Sequence, residues 1–145
     1  MRYTFSLLAV LALMGCGGVR QTATMAELQP WVGTWQGKGI RENRMDPVRD
    51  WTLTLEVRNN RLTGHLQDNG GEMGKQNLNK VRLQDGLLTF QLNFESARGL
   101  QVTYRHEARL RGDKILSVFH GREGGRSFQG KWEAVKIAEG NAVTN

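Results

Sequence analysis

Tyr104 and His106 are the residues of this 145-residue chain best placed to do chemistry. They stand two apart in a segment of apolar–polar alternation, so a strand would set both side chains on its apolar face. There they could hydrogen-bond a ligand carboxylate or act as an acid–base pair. The plainer alternative is a core histidine satisfied by a tyrosine, a carbonyl or a water, and it is preferred. Ser117 could fall near His106 but has no evident third member, and no Gly-x-Ser-x-Gly occurs. The histidines make no metal set: His65 falls on the outward parity, and His106 meets His120 only if the turn near Gly112 spans three residues. Asp46, Asp68 and Glu72 belong to loops, where carboxylates are usually solvated. Gly70-Gly71 and Gly124-Gly125 open no helix and act as hinges rather than phosphate cradles. No catalysis, cofactor or metal is expected.

The elements that must position this pair are strands. From Trp31 onward the apolar pattern has period two and is broken by turn signals every 8 to 12 residues or so, the pattern of an all-β sandwich or barrel. Glycine is abundant (18) and proline scarce (2), which favours tight turns between short strands. Eight strands are predicted, over 31–40, 50–58, 61–67, 76–84, 87–94, 100–111, 114–121 and 127–137. Asn59-Asn60 and Asp85-Gly86 suit two-residue hairpin turns, the first pairing Val57, Leu55 and Leu53 with Leu62, Gly64 and Leu66, the second pairing Leu83 with Leu88 and Val81 with Phe90. A loop over 95–99 would pair Phe94 with Leu100, Leu92 with Val102, Phe90 with Tyr104 and Leu88 with His106. The segment Ile115-Leu116-Ser117-Val118-Phe119 is apolar on both faces. Gly112-Asp113 as a type II′ turn sets Phe119 inside, opposite His106, and His120 outside.

In up-and-down order the tight turns gather at one end and the longer loops, 41–49, 68–75, 95–99 and 122–126, at the other. One end is therefore closed and the other open, with the first loop as a candidate lid. The predicted interior holds Trp35, Trp51, Phe90, Phe94, Tyr104, His106, Phe119, Phe128 and Trp132, which are the candidate ligand-binding residues. Gly37, Gly64 and Gly130 are interior by parity and leave room. An eight-stranded barrel can be filled by its side chains or hold one small ligand. Both outcomes stay open here. A cavity of a few hundred Å³ would favour a ligand, and a packed interior would favour a protein-interaction module.

Upstream, Met1-Arg2-Tyr3 is a positive start and Leu7 to Met14 an apolar stretch too short to span a bilayer. It ends in Leu13-Met14-Gly15-Cys16, which resembles the bacterial lipobox. That resemblance implies a signal peptide over 1–15, a diacylglycerol on the Cys16 thiol, and a lipidated tether over 16–30 that leads into the barrel at 31–137 and a C-terminal tail at 138–145. It also accounts for a lone cysteine, since a disulfide needs two. Gly17, where aspartate would favour inner-membrane retention, implies the outer membrane. The tether joins at the closed end, so the mouth should point away from the membrane. Residues 25–28 suit one helical turn before Pro30. The net charge is +6, about +5 once Arg2 leaves with the leader, which favours anionic neighbours. The basic residues are interspersed with acids, so no nucleic-acid role is expected.

The short helical turn followed by Gly33-Thr34-Trp35 on the first strand resembles the lipocalin and calycin barrels. That resemblance implies an eight-stranded antiparallel up-and-down barrel with Trp35 packed across its closed end, and a small hydrophobic ligand in the mouth. The family's Thr-Asp-Tyr motif is absent, and Arg126 and Lys136 are the nearest residues to its arginine beside the last strand. The expected function is a membrane-anchored lipoprotein of the cell envelope, facing the periplasm, whose barrel binds a small hydrophobic or amphipathic molecule. The alternative is an interaction or inhibitor module with a filled core that contacts an envelope protein. A third, minor expectation is a barrel enzyme using Tyr104 and His106.

Overall fold

The structure is a computed structural model that describes residues 22–42, 48–71 and 73–137. Cys16 and its leader, the centre of the candidate lid with Asp46, Glu72 and the tail at 138–145 lie outside the described residues. A single helical turn, α1 (Met25–Leu28), is followed by a 3₁₀ turn (Gln29–Trp31). The Thr24 side chain accepts the Glu27 N–H, and the Glu27 carboxylate accepts the Thr24 N–H, a reciprocal cap that lets so short a helix form. Leu28 and Trp31 are buried in the core beneath.

Nine antiparallel strands follow: β1 (Gly33–Arg41), β2 (Arg49–Arg58), β3 (Arg61–Asn69), β4 (Lys75–Asn77), β5 (Asn79–Gln84), β6 (Leu87–Glu95), β7 (Gln101–Arg111), β8 (Lys114–Glu123) and β9 (Arg126–Lys136). They form one sheet in the order β4-β3-β2-β1-β9-β8-β7-β6-β5. The first and last strands pair, with Gly37 opposite Ala134 and Gly39 opposite Trp132, so the sheet curls into a nearly closed up-and-down barrel.

The strand count is nine rather than eight because the strand predicted over 76–84 divides at Leu78. Its first part pairs with β3 and its second with β6. Leu78 turns its side chain into the core and gives its N–H to the Gly64 carbonyl (2.9 Å). Lys80 then adopts a left-handed backbone (φ 52°) where the β5–β6 register shifts, a β-bulge. The polar run Gln76-Asn77-Leu78-Asn79-Lys80 offers only Leu78 to the core, so no alternation holds a single register through it.

The turns fix most of the remaining register. Asn59 and Asn60, and Asp85 and Gly86, all have positive φ, as type I′ turns require. Val57, Leu55 and Leu53 face Leu62, Gly64 and Leu66, and Leu83 faces Leu88. Gly112 alone has positive φ in its turn, and Phe119 faces His106. The loop after β6 corrects the expected pairing. It occupies Ser96 to Leu100 instead of 95–99, closed by a Ser96 N–H to Leu100 carbonyl bond, so Phe94 faces Val102, Leu92 faces Tyr104 and Phe90 faces His106. The ladder has slid by two residues, which preserves every inward and outward assignment but changes every partner. Leu100, expected on the apolar face, lies in the loop and is exposed.

Candidate functional site

Below the mouth the barrel interior is filled by buried side chains. Trp35, Phe90, His106, Phe119 and Trp132 are almost wholly buried there. The Trp35 Nε1 donates to the Trp31 carbonyl (2.9 Å), tying the first strand to the 3₁₀ turn at the closed end. Lys136 Nζ lies 5.1 Å above the Trp35 ring, a cation–π contact. Of the glycines expected to leave room, Gly37 and Gly64 lie against the backbone of the neighbouring strand and Gly130 is covered by a ring. A side chain at Gly130 would meet the Phe119 ring at 2.3 Å, and one at Gly121 would meet Phe128 at 1.9 Å. These glycines let the aromatic rings lie flat on the opposing strand; they do not open space for a ligand.

His106 is stacked on Phe90 (ring centroids 4.5 Å, 8° between planes) and is completely buried. Trp132 Nε1 donates to its Nδ1 (3.1 Å). An indole nitrogen can only donate, so the imidazole proton sits on Nε2, which has no partner among the described residues. Burial pushes the His106 pKa down to about 3. His106 and Tyr104 are neighbours edge-on (centroids 6.3 Å), but each makes its side-chain hydrogen bond elsewhere.

Above this plug the barrel opens into a cavity of about 180 Å³ at the end that carries the long loops. Trp51, Phe94, Tyr104 and Phe119 line it. Trp35, Phe90, His106 and Trp132 do not, and Phe128 stands at the outer rim. The volume falls short of the few hundred Å³ usual for ligand pockets, and the rings below are packed.

Around these rings runs a charged collar that the sequence analysis did not identify. Arg41 donates to the Tyr104 hydroxyl and lays its guanidinium over the Phe128 ring (4.1 Å). Arg98 donates to Glu123 (3.3 Å). Arg49 lies 3.7 Å from Asp68. Asp68, expected on a loop, is on β3 opposite Trp51, with its carboxylate packed against the Gly71 backbone. Burial raises the Asp68 pKa, although Arg49 and Arg41 pull it down. Burial also raises the Tyr104 pKa, so the hydroxyl keeps its proton. Asp68 Oδ1 and Trp51 Nε1 have no hydrogen-bond partner among the described residues.

Strand parity is the signal that could have found this collar. Arg41 continues the inward set Trp35, Gly37 and Gly39; Arg49 precedes Trp51; Asp68 follows Leu62, Gly64 and Leu66; and Glu123 follows Phe119 and Gly121.

Other hollows lie on the outer surface, and two of them flank the C-terminal strands. A groove of about 920 Å³ beside the β8–β9 turn is lined by polar residues, among them Glu42, His120 and Arg126. A second, of about 600 Å³, crosses the outer wall over Ile40, Val48, Leu116 and Val118, which are exposed. The strand that seemed apolar on both faces thus has Ile115, Ser117 and Phe119 inside and contributes Leu116 and Val118 to this patch. Among the described residues no group of three or more His, Cys, Asp or Glu could hold a metal ion.

The strands define a nearly closed antiparallel up-and-down β-barrel, and comparison with solved structures agrees. The chain is similar to the structure of EF1p2_mFAP2b bound to DFHBI, with a TM-score of 0.58 at 10% identity, covering 79% of this chain and all of that one. It is also similar to a candidate outer membrane protein from Bacteroides fragilis, with a TM-score of 0.52 at 10% identity, covering 79% of this chain and 54% of that one. At this identity the likeness establishes the barrel and nothing finer. No protein-family model matches the chain. No curated protein matches it either.

Proposed function

We propose that this protein is a non-catalytic, lipid-anchored barrel of the cell envelope whose mouth binds a small amphipathic molecule. One observation carries the binding role: a cavity floored by aromatic rings and collared by charged groups at the open end, Asp68 and Glu123 among them buried. Apolar walls with a few placed polar groups suit an apolar body with a polar head. A barrel of the same fold holds DFHBI in EF1p2_mFAP2b, so the architecture tolerates a guest. The anchor rests on Leu13-Met14-Gly15-Cys16, and an outer-membrane position facing the periplasm follows from that lipobox and Gly17.

Two measurements test this reading. Full-length protein extracted from membranes in mild detergent, analysed by native mass spectrometry, should carry a small molecule that survives dialysis and is lost on denaturation. A bare mass in every preparation would count against the binding role. Cells fed a palmitate analogue should label the wild-type chain, and Cys16→Ser should abolish the label; undiminished labelling of that variant would place the anchor elsewhere.

The outer-wall patch favours a second reading, an interaction module. Exposed apolar patches of this kind mark docking surfaces more often than chance. Here the contact would lie on the side of the barrel at Ile40, Val48, Leu116 and Val118, not on the open-end loops. Val118→Lys should then prevent co-purification of a stoichiometric partner while leaving the mouth ligand in place.

A further inference from the structure

We propose that the outer wall formed by β1, β9, β8 and β7 docks on the anionic surface of a phospholipid membrane, so that the barrel lies on its side along the bilayer. This rests on the envelope location proposed above and adds to it the face that meets the lipid.

The exposed apolar side chains are unevenly distributed. Seven large ones are exposed among the described residues, and five of them, Ile40, Val48, Leu116, Val118 and Val135, lie on this wall or border its groove. Leu116 and Val118 alternate with the buried Ile115, Ser117 and Phe119, so parity holds them outward and they cannot retreat into the core. The wall of β2 and β3 presents Thr52, Thr54, Thr63, His65 and Gln67 instead, with no large apolar side chain exposed.

Charge separates the two walls as well. Lys38, Arg109, Arg111 and Lys131 border the apolar groove. Arg105, Lys114 and Arg122 continue the basic strip on the same outer face. The outward positions of the four strands hold only two carboxylates, Glu107 and Glu133, and Glu133 is bound to Lys114 (2.6 Å). Lys38, Arg111 and Lys131 form no ion pair among the described residues. The flanking sequence does not reverse the sign, since residues 42–47 and 138–145 together carry one arginine, one aspartate and two glutamates. On β2 and β3, by contrast, Asp50 and Glu56 balance Arg58 and Arg61.

The interleaving of the two residue types favours a lipid surface over a protein partner. Across the ladder Ile40, Lys131 and Val118 form one row, and Lys38, Glu133 and Leu116 form the next. A protein interface needs a core depleted of charge, and its strongest contacts come from aromatic and arginine anchors seated in pockets. This wall breaks its apolar side chains apart with charges, and no Trp, Tyr or Phe is exposed on it among the described residues. A headgroup layer accepts such a mixture. The aliphatic tips enter the boundary with the acyl chains, while lysine and arginine stems lie beside them and carry their charges to the phosphates.

Photocrosslinking tests this on the full-length protein, purified from membranes in mild detergent and reconstituted into vesicles. p-Benzoylphenylalanine replaces Val118 in one sample and Thr54 in another, and lipid adducts are read by mass spectrometry. In vesicles of phosphatidylcholine mixed with phosphatidylglycerol, the probe replacing Val118 should give at least about fivefold more adduct than the one replacing Thr54, and that yield should fall by about the same factor in pure phosphatidylcholine or in high salt. Arg109→Glu combined with Lys131→Glu should lower it similarly; the vesicle comparison needs neither substitution and decides the matter if that variant misfolds. Equal lipid adducts at the two sites would overturn the docking and leave a barrel that is merely tethered. Insensitivity to lipid charge would overturn the anionic preference. Attachment of the probe replacing Val118 to a second polypeptide would overturn the proposal in favour of a protein partner. A chain that neither sediments with the vesicles nor forms adducts would overturn it too, and palmitate labelling at Cys16 then decides separately whether the anchor stands.

Discussion

Urea unfolding at pH 5 should give a stability about 2 kcal/mol below that at pH 7.5, and His106 should be responsible for most of the difference. The imidazole is enclosed by Phe90, Trp51, Phe119, Tyr104 and Trp132, with no carboxylate against it. Its Nδ1 is committed as an acceptor to Trp132. Protonation would break that bond and bury a charge, so burial holds the folded pKa near 3, against 6.5 for the free side chain. A pKa depressed on folding confers stability that is complete above the unfolded value. That stability declines as pH falls below 6.5, by about 1.4 kcal/mol per unit, and is exhausted near pH 3. Asp68 works in the opposite direction: its pKa is raised on folding, so acidification through its own range favours the folded state. The comparison that isolates His106 is therefore wild type against His106→Leu combined with Trp132→Phe, which removes the indole donor as well. The double variant should lose little stability between pH 7.5 and pH 5. Parallel losses in the two proteins would mean that the acid sensitivity arises elsewhere.

Gly37→Val should cost roughly 4 kcal/mol or more, a large share of the stability of a small domain. A Cβ at this position would lie 1.8 Å from the Glu133 carbonyl oxygen and 2.5 Å from the Ala134 Cα. Both are backbone atoms in a continuous ladder and cannot turn aside as a side-chain tip would. The only relief is to part β1 from β9, the pairing that joins the N-terminal strands to the C-terminal ones. Gln36→Val, one residue away on the exposed face, adds a β-branched side chain without that obstruction and should change stability by less than about 0.5 kcal/mol. Guanidinium titrations of the two variants beside wild type decide the matter. Similar midpoints for Gly37→Val and Gln36→Val would show that the closure tolerates a side chain at Gly37.

Alternation and turn chemistry made the barrel legible. Asn59-Asn60, Asp85-Gly86 and Gly112-Asp113 carry their geometry locally, so the register next to three hairpin turns followed from dipeptides; beyond Leu83 the expected Val81–Phe90 pair is lost to the bulge. The five-residue loop after β6 carries no such signature. Parity constrained it only to an even shift, and the ladder came out two residues from the expected pairing. The split at Leu78 was hidden because a run of polar residues looks the same whether it serves one neighbour or two. The collar was missed for a different reason. Arg41, Arg49, Asp68 and Glu123 are each one or two residues beyond a predicted strand end, and their charges made them look like loop residues. Mutual pairing and proximity to solvent at the mouth let these charges turn inward, and that depends on contacts that a single strand's pattern does not show. The aromatic set was correctly placed inside by parity, but parity does not give depth. The cavity touches only its upper members, and the boundary between plug and cavity depends on which rings lie across which glycines.

The division of one strand at Leu78 makes this barrel a split ring rather than a hoop. Elsewhere around the wall each strand is zipped to its neighbour along most of its length, and a change of girth would have to shear a long ladder. Between β3 and β6 the wall is held by short ladders on either side of a single residue that changes partner. That joint starts directly beside the mouth, where Asp68 bonds to Gly74 and Met73 lines the cavity. A guest slightly too wide for the slot would therefore be accommodated there, by the wall spreading along β4, while the β1–β9 closure on the far side and the aromatic plug below kept their shape.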